Sequence, residues 1–529
     1  MSMIKINRLK CEIAKYSKFV LYGAGYIAND IYAELKKNDI FPDYCVVTEK
    51  SASQLKFYES ELYTVADKIE DLRRSDVLVL IAVSEKYQKE IIKTLCEYNI
   101  QNYLPASIFL RGSEIDEVWE KRNEEECLQA IAEWYADVNE LSTHDISWIR
   151  NELQQIFVDT KKDNNAIVFV VIRLQPRVLK IAEALKEKGY KIITLFAPVT
   201  INELVKEKMI QASDSSHQCN CIEELMYEIM LAGVNVVHVF SQYGKLVEIA
   251  YLLVKNKILF PKIVFDQYDI SNEMYNGHIK QKWLDMEKYC VEYSDGICNR
   301  GYEIEYLTSE KGYNVTGKTI QFFDYCSNDV LEVLPQIEDG SLSLCYVGGI
   351  LPEKEYPGMH YACWLDVIRL CIQNKCHLHV YAVNGNEERF ADYIKLSEEN
   401  EFFHFHEPIM FEQLAKELAQ YDYGINPIRK GFDDCETDGV YSRNKMLYST
   451  NNKYFDYLDA GLPIIGAMPV KLSEYFEKKG VLLNWTLEEY DFQKLRQLKE
   501  QMRQNVLVAR EEFNMKNQIE RLIMFYKFL

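Results

Sequence analysis

The stretch Asn452-Lys453-Tyr-Phe-Asp456-Tyr-Leu-Asp-Ala-Gly461-Leu-Pro-Ile-Ile465 gathers several groups able to handle a phosphorylated ligand. Asn452 can cap a helix whose first turn holds Lys453 and Asp456. Gly461 ends that helix, and Leu462 to Gly466 enters a buried strand. Phe455 and Leu458, three residues apart, give the helix an apolar face. Free N–H groups and the positive dipole end of such a helix suit a diphosphate. Lys453 adds a point charge, and Asp456 can accept hydrogen bonds from a ribose or sugar hydroxyl. The same residues would also make an ordinary capped surface helix with a Lys–Asp pair.

Other chemistry-bearing groups cluster where strands should end. Gly348 and Gly349 follow the apolar run Ser343 to Val347, with Lys354 shortly after. Glycines let a backbone approach phosphate closely, and a nearby lysine can neutralise a leaving group. Earlier in the chain, three predicted strand ends are polar: Arg173 to Arg177, His238 to Gly244 (with Tyr243), and Asp266 to Asp269. Ligands gather at such ends in parallel sheets. Asp266 is the first candidate for a base accepting a hydroxyl proton and His238 the second. A helix cap and a satisfied strand histidine are the plain readings of the two. His377 and His379 alternate along one strand, as do His404 and His406, and alternation accounts for both pairs without zinc. The chain contains no Asp-x-Asp triplet of the kind that holds a divalent metal on a diphosphate.

In this order the landmarks resemble the GT-B glycosyltransferases, of the family 4 or group 1 type, over roughly residues 165 to 529. The Asn452 stretch is similar to that family's asparagine-or-proline, lysine, x, x, acid, tyrosine, leucine, x, x, glycine, x, proline pattern. The resemblance implies a nucleoside-diphosphate-sugar donor held by Gly348, Gly349, Lys354, Asn452, Lys453 and Asp456. It places the acceptor near Arg177, Tyr243 and Gly244, with His238 and Asp266 at the bond-making side. Asp422 to Pro427 resembles the later donor-domain strand, and Asp295 the acid before the interdomain crossing. The sequence departs from the family at Tyr448, where retaining members carry the first of two glutamates, and at Asp456, which shortens the second. The loop Arg429 to Asn444, with Asp433, Asp434, Glu436 and Asp438, is a candidate substitute, and the anomeric outcome stays open.

Positioning these groups requires α/β architecture. Continuous apolar runs such as Val77 to Val83 and Ala166 to Ile172 are typical of buried parallel strands, and helical patterns alternate with them. Strands are expected at Phe19 to Tyr22, Tyr44 to Val47, Val234 to Phe240, Lys262 to Phe265, His377 to Ala382, Phe402 to Phe405 and Tyr423 to Pro427. The predicted domains are a small Rossmann-like module over 1–111, a helical connector over 112–163, an acceptor domain over 164–335 and a donor domain over 336–529 with closing helices. In the first of these, Gly23-x-Gly25-x-x-Ala28 stands between a strand and a helix, with Glu49 after the next strand. That context fits a dinucleotide site for NAD(P) or another nucleotide, or a purely structural module.

The chain has 529 residues, 48% apolar and 27% charged, with a net charge of −20. That charge disfavours nucleic acid as a partner. No run is long enough to span a membrane, and the fourteen cysteines show no paired framework, which suits reduced thiols in a cytoplasm. The leading expectation is a metal-independent hexosyltransferase needing no cofactor for transfer. It would serve surface-polysaccharide or glycoconjugate assembly, with a carbohydrate, lipid-linked or protein acceptor. Peripheral contact at the inner membrane face and a homo-oligomer are compatible with it. The alternatives are a dinucleotide-dependent oxidoreductase or epimerase of nucleotide sugars, and a non-catalytic nucleotide-sugar-binding protein.

Overall fold

The computed structural model describes residues 9–10, 12–24, 28, 31–32, 35–36, 39–48, 62–83, 85–105, 117–139, 146–159, 162–198, 203–242, 244–273, 279–327, 341–350, 364–382, 390–409, 411–431, 442–466 and 471–529. The chain divides into two compact units. One comprises residues 1–159, 195–202 and 217–231, and the other the remainder.

The first sheet is built from β1 (Lys18–Tyr22), β2 (Tyr44–Val47), β3 (Leu62–Thr64), β4 (Val77–Ile81) and β5 (Tyr103–Pro105) in the order β3-β2-β1-β4-β5, all parallel. Alternate residues of β1 and β4 feed two separate cores. Leu21, Leu78 and Leu80 pack on one face, and Val20, Val79 and Ile81 on the other. Burial on both faces is why these strands read as unbroken apolar runs. After β1, Gly23 takes φ +137°, and a Cβ there would lie 2.7 Å from the Ala82 carbonyl oxygen. Helices Glu117–Lys121, Glu124–Val138 and Ile146–Asp159 occupy the predicted connector. The middle one starts in a capping box formed by Asn123 and Glu126.

The second sheet has β6 (Asp163–Val171), β7 (Lys191–Phe196), β8 (Ser215–Gln218), β9 (Val234–Phe240), β10 (Lys262–Gln267), β11 (Gly296–Asn299) and β12 (Lys318–Gln321) in the order β12-β11-β10-β9-β6-β7-β8. The third has β13 (Leu342–Gly348), β14 (Cys376–Ala382), β15 (Phe403–His406), β16 (Tyr423–Asn426), β17 (Ile464–Gly466) and β18 (Leu482–Leu483) in the order β15-β14-β13-β16-β17-β18, all parallel. Two Rossmann-like sheets preceded by a smaller one is the expected α/β class. The strands that sequence patterning missed are β3, β5, β8, β11, β12 and β18. They are short, and most are polar or half-exposed edge strands with no apolar run to mark them.

Two closing helices follow, Phe492–Glu512 and Met515–Lys527. The last returns to the second sheet. Lys188 pairs with Glu520 at 2.8 Å, and a Cβ on Gly296 would stand 2.8 Å from Phe525 and Leu529. Among the described residues, no helix is long and apolar enough to cross a membrane.

Between β16 and β17 the chain crosses over through the helix Asn452–Asp459, whose Tyr454, Phe455, Tyr457 and Leu458 are buried. It docks at Gly424, where any Cβ would overlap the Tyr457 ring, and Tyr457 Oη donates to the Ile425 carbonyl at 2.8 Å. Gly424→Ala should therefore destabilise the unit by about 1–3 kcal/mol through overpacking. Denaturant unfolding that finds no loss would show that this helix does not dock as described.

Candidate functional site

The loops after β10, β11 and β13 and the start of the helix Asn452–Asp459 converge within the second unit. Arg300, which follows β11, is 4% exposed, so its charge must be met by fixed partners. Its guanidinium donates to Asn452 Oδ1 and, at 3.2 Å, to Asp269 Oδ1, and lies 3.9 Å from the centroid of the Tyr268 ring. Asn452 Nδ2 in turn donates to Tyr268 Oη at 2.8 Å, and Lys445 Nζ stands 3.5 Å from Asp269.

This placement corrects the expected role of Asn452. The cap is Asn451, whose Oδ1 accepts from Lys453 N at 3.2 Å, while Asn452 is the first helical residue and its side chain ties the helix to the second sheet. The N–H of Tyr454 is also taken, by the Asn451 carbonyl at 3.0 Å. The helix start therefore offers an anion fewer free donors than the sequence pattern suggested. Ser449 Oγ and Thr450 Oγ1, just before the cap, are buried without a protein partner, as is Arg300 Nε.

Lys453 meets the glycine turn directly. Gly348 takes φ +131°, and a Cβ there would lie 2.7 Å from Lys453 Cε. The Lys453 ammonium sits 5.0 Å from the Tyr346 ring centroid, and Tyr346 Oη donates to the Gly349 carbonyl at 2.6 Å. One turn on, burial raises the Asp456 carboxyl to about 6, with Lys180 and Lys453 opposing that rise and Asp459 and Asp324 adding to it. Lys180 is itself buried, donating to the Tyr325 carbonyl at 2.9 Å and pairing with Asp459 at 3.6 Å.

Asp266 and His238 lie elsewhere, deep in the second sheet at 2% and 0% exposure. Asp266 Oδ2 accepts from Arg177 at 3.0 Å and contacts His238 Nε2 at 3.2 Å, while His238 Nδ1 meets Tyr526 Oη at 2.6 Å. Arg177 also donates to the carbonyls of Phe322 and Phe323. Burial alone would raise the Asp266 carboxyl, but the Arg177 charge and the His238 bond bring it below its usual range. Burial lowers the His238 imidazole. These bonds tie the strands to the last helix, with Arg177 Nε left buried and without a partner. Arg177 is thus an internal strut. Gly244 opens a short helical turn at φ +69°. Asp295 accepts from Lys262 at 3.1 Å and from Ile263 N at 3.0 Å, at the opposite, amino-terminal ends of the strands. A cavity of about 890 Å³ lies at those amino-terminal ends, lined by Asn165, Val236, Lys262 and Asp295 among others. It is remote from the convergence at the carboxyl ends, where parallel sheets bind ligands.

Tyr448 is the residue that the sequence resemblance sets against a glutamate. Its carbonyl accepts from Tyr302 N at 2.7 Å, and its ring packs 5.0 Å from that of Tyr306. Gly25, Glu49, Tyr243, Lys354, Asp433, Asp434, Glu436 and Asp438 lie outside the described residues.

No protein-family model matches the chain, and no curated protein matches it. Solved structures do resemble it. The Anabaena HepE complex with UDP-glucose has a TM-score of 0.48 at 9% identity, over 68% of this chain and 99% of that one. AviGT4, a glycosyltransferase involved in avilamycin A biosynthesis, has a TM-score of 0.39 at 10% identity, over 68% and 97%. An S. aureus MnaA–UDP structure has a TM-score of 0.45 at 10% identity, over 69% and 96%. At these identities and scores the likeness carries no argument about this chain.

The sequence reading missed Arg300, Tyr268 and Glu303. The one available signal was their place after short strands, in Asp-Gln-Tyr-Asp269 and Asn-Arg-Gly-Tyr-Glu303. Glu303 is 0% exposed and accepts from Gly301 N at 2.6 Å. Burial raises its carboxyl to about 8, against the pull of Arg300. Burial likewise raises Glu287, which holds Ser271, to about 7. The folded state keeps the Glu303 proton to about pH 8, whereas the unfolded chain releases it near 4.5, so this group makes stability fall as pH climbs between the two. Glu303→Gln should flatten that decline, gaining on the wild type at about pH 8 and matching it at about pH 5. Parallel stability curves for the two proteins would refute the assignment.

Proposed function

We propose that this protein transfers a glycosyl group from a nucleoside-diphosphate sugar to a hydroxyl acceptor. The observation that carries this is the contact of the Lys453 stem with Gly348. It brings a lysine, a glycine turn of positive φ and a capped helix start together at the carboxyl edge of β13, beside the buried hydroxyls of Ser449 and Thr450. In the reaction the anomeric C–O bond to the diphosphate breaks and a bond to the acceptor oxygen forms, so negative charge builds on the departing diphosphate. Lys453 meets that charge, and Arg300 holds the helix start in place through Asn452. Asp456, half-buried one turn later, is the acceptor for a ribose or sugar hydroxyl. The internal placement of Asp266 and His238 favours a structural role for both, so the acceptor's proton goes to another group.

The first sheet is a nucleotide-binding or structural module on this reading. Gly23 packs too close to the Ala82 carbonyl to carry a side chain; NAD(P) or another nucleotide is the ligand this module would take, and the acceptor class remains carbohydrate, lipid-linked or protein. A cofactor-dependent oxidoreductase or epimerase would instead need redox turnover at that sheet.

Thermal shifts against UDP-, GDP-, CMP- and dTDP-linked sugars should single out one base, since a bound donor stabilises by mass action. Lys453→Ala should weaken that donor by roughly tenfold or more, the worth of a lost charge-assisted bond, with unfolding in the absence of donor unchanged. Equal donor shifts in both proteins would remove Lys453 from the donor site. Donor hydrolysis without acceptor separates a transferase from a binding protein.

A further inference from the structure

β14 and β15 present four histidines on the face of the third sheet opposite the core that buries Leu378 and Val380. The parallel register sets His379 beside His404 and Tyr381 beside His406. His377 Nδ1 lies 3.0 Å from His404 Nε2, and His379 Nδ1 lies 2.9 Å from His406 Nε2. The His379 and His404 rings stack at 4.2 Å. All four side chains are half-buried, and none contacts Lys453, Gly348 or Arg300 in any bond described above. Strand propensity gives no reason to choose histidine four times here, because β-branched residues would serve the pleat better.

We propose that His377, His379 and His404 form a binding site for one late first-row divalent cation such as Zn²⁺, with His406 fixing the His379 ring. One ring nitrogen from each of the three lies within 4.8 Å of the other two. Tetrahedral ligation with Zn–N bonds of about 2.0–2.1 Å sets two ligating nitrogens roughly 3.3 Å apart and their ring centroids about 5 Å apart. The His377 and His404 centroids are 5.3 Å apart, while His379 lies 4.2 Å from His404 and 6.3 Å from His377, so the three pairs bracket that spacing and the His379 ring must turn and shift to join the other two. An all-imidazole set suits Zn²⁺, Cu²⁺ or Ni²⁺ and excludes Mg²⁺ and Ca²⁺, which demand oxygen ligands. Water would complete the coordination. The ion would fasten edge strand β15 to β14 and act apart from sugar transfer. The His406 ring, 2.9 Å from His379 Nδ1, plays the part of an outer partner that orients a ligand.

The test is a Co²⁺ titration of the chelator-treated full chain, followed in the visible spectrum. One equivalent should bind with the intense absorption of four-coordinate cobalt, and one equivalent of Zn²⁺ should displace it. The His377→Gln/His404→Gln variant should lose that spectrum with its far-UV circular dichroism unchanged, and His379→Gln should bind at least tenfold more weakly. In the wild type, Zn²⁺ should protect these three histidines from diethyl pyrocarbonate while His217 reacts at its usual rate, a readout that needs no variant to fold. Cobalt spectra alike in wild type and double variant, or no zinc protection, would overturn the site. Nucleotide-sugar binding should be equal in all these proteins, so failure here leaves the donor-site reading untouched.

Discussion

A guanidinium taken almost wholly out of water is the constraint around which the second unit is organised. Desolvating Arg300 costs several kcal/mol unless each side of its fork is met, so Asp269, Asn452 and Tyr268 have little freedom once it is in place. Those partners come from the loop after β10 and from the helix that crosses from β16 to β17. That charge is thus one link between the second and third sheets, beside Lys180 with Asp459 and Lys445 with Asp269. The approach is close enough that a Cβ on Gly301 would lie 3.0 Å from the Tyr448 carbonyl and 3.1 Å from Thr450. A side chain at Gly301 would spread the loops that Arg300 draws together.

Carboxyls around this centre divide by partner, not by depth. Asp266 and Glu303 are equally buried, yet Asp266 faces Arg177 and His238 and is held below its usual range, while Glu303 is raised to about 8. The difference follows from geometry. Arg177 Nη2 donates directly to Asp266 at 3.0 Å, whereas Glu303 accepts from a backbone N–H and leaves Oε1 unpaired. Desolvation dominates wherever no donor aims at the oxygen. The region thus keeps fixed negative charge in its interior anchor and neutral acid next to Arg300, which leaves more of that cation's field available to an anion.

The sequence disclosed the periodic parts of this architecture. Strands such as β4 and β9 are buried on both faces and write themselves as apolar runs, and Gly461 marks a helix end because its φ is positive. The meeting of Gly348 with Lys453 was legible as two motifs but not as a contact, since more than a hundred residues separate them. Arg300 was invisible for the same reason: its meaning lies in Asn452, and no local pattern links the two. Asp266 and His238 read as candidate bases because a polar residue at a strand end looks alike whether it faces a cleft or an internal arginine. The contact of His238 with Tyr526 on the last helix lies nearly three hundred residues away, beyond any local pattern.

A net charge of −20 opposes an anionic ligand at long range, but charge acts over a short range in salt water. Beyond about 8–10 Å exposed acids are screened, while groups shielded from solvent keep most of their field. Near the helix Asn452–Asp459 the shielded cations include Arg300, Lys180, Lys445 and Arg510, and the half-buried Lys453 stands among them. Their fixed partners cancel part of this charge. What remains is directed by position: Lys180 faces Asp456 and Asp459 inside the fold, whereas Lys453 rests on the glycine turn. The overall acidity therefore governs solubility and encounter, and the local field at that turn is set by a handful of placed cations.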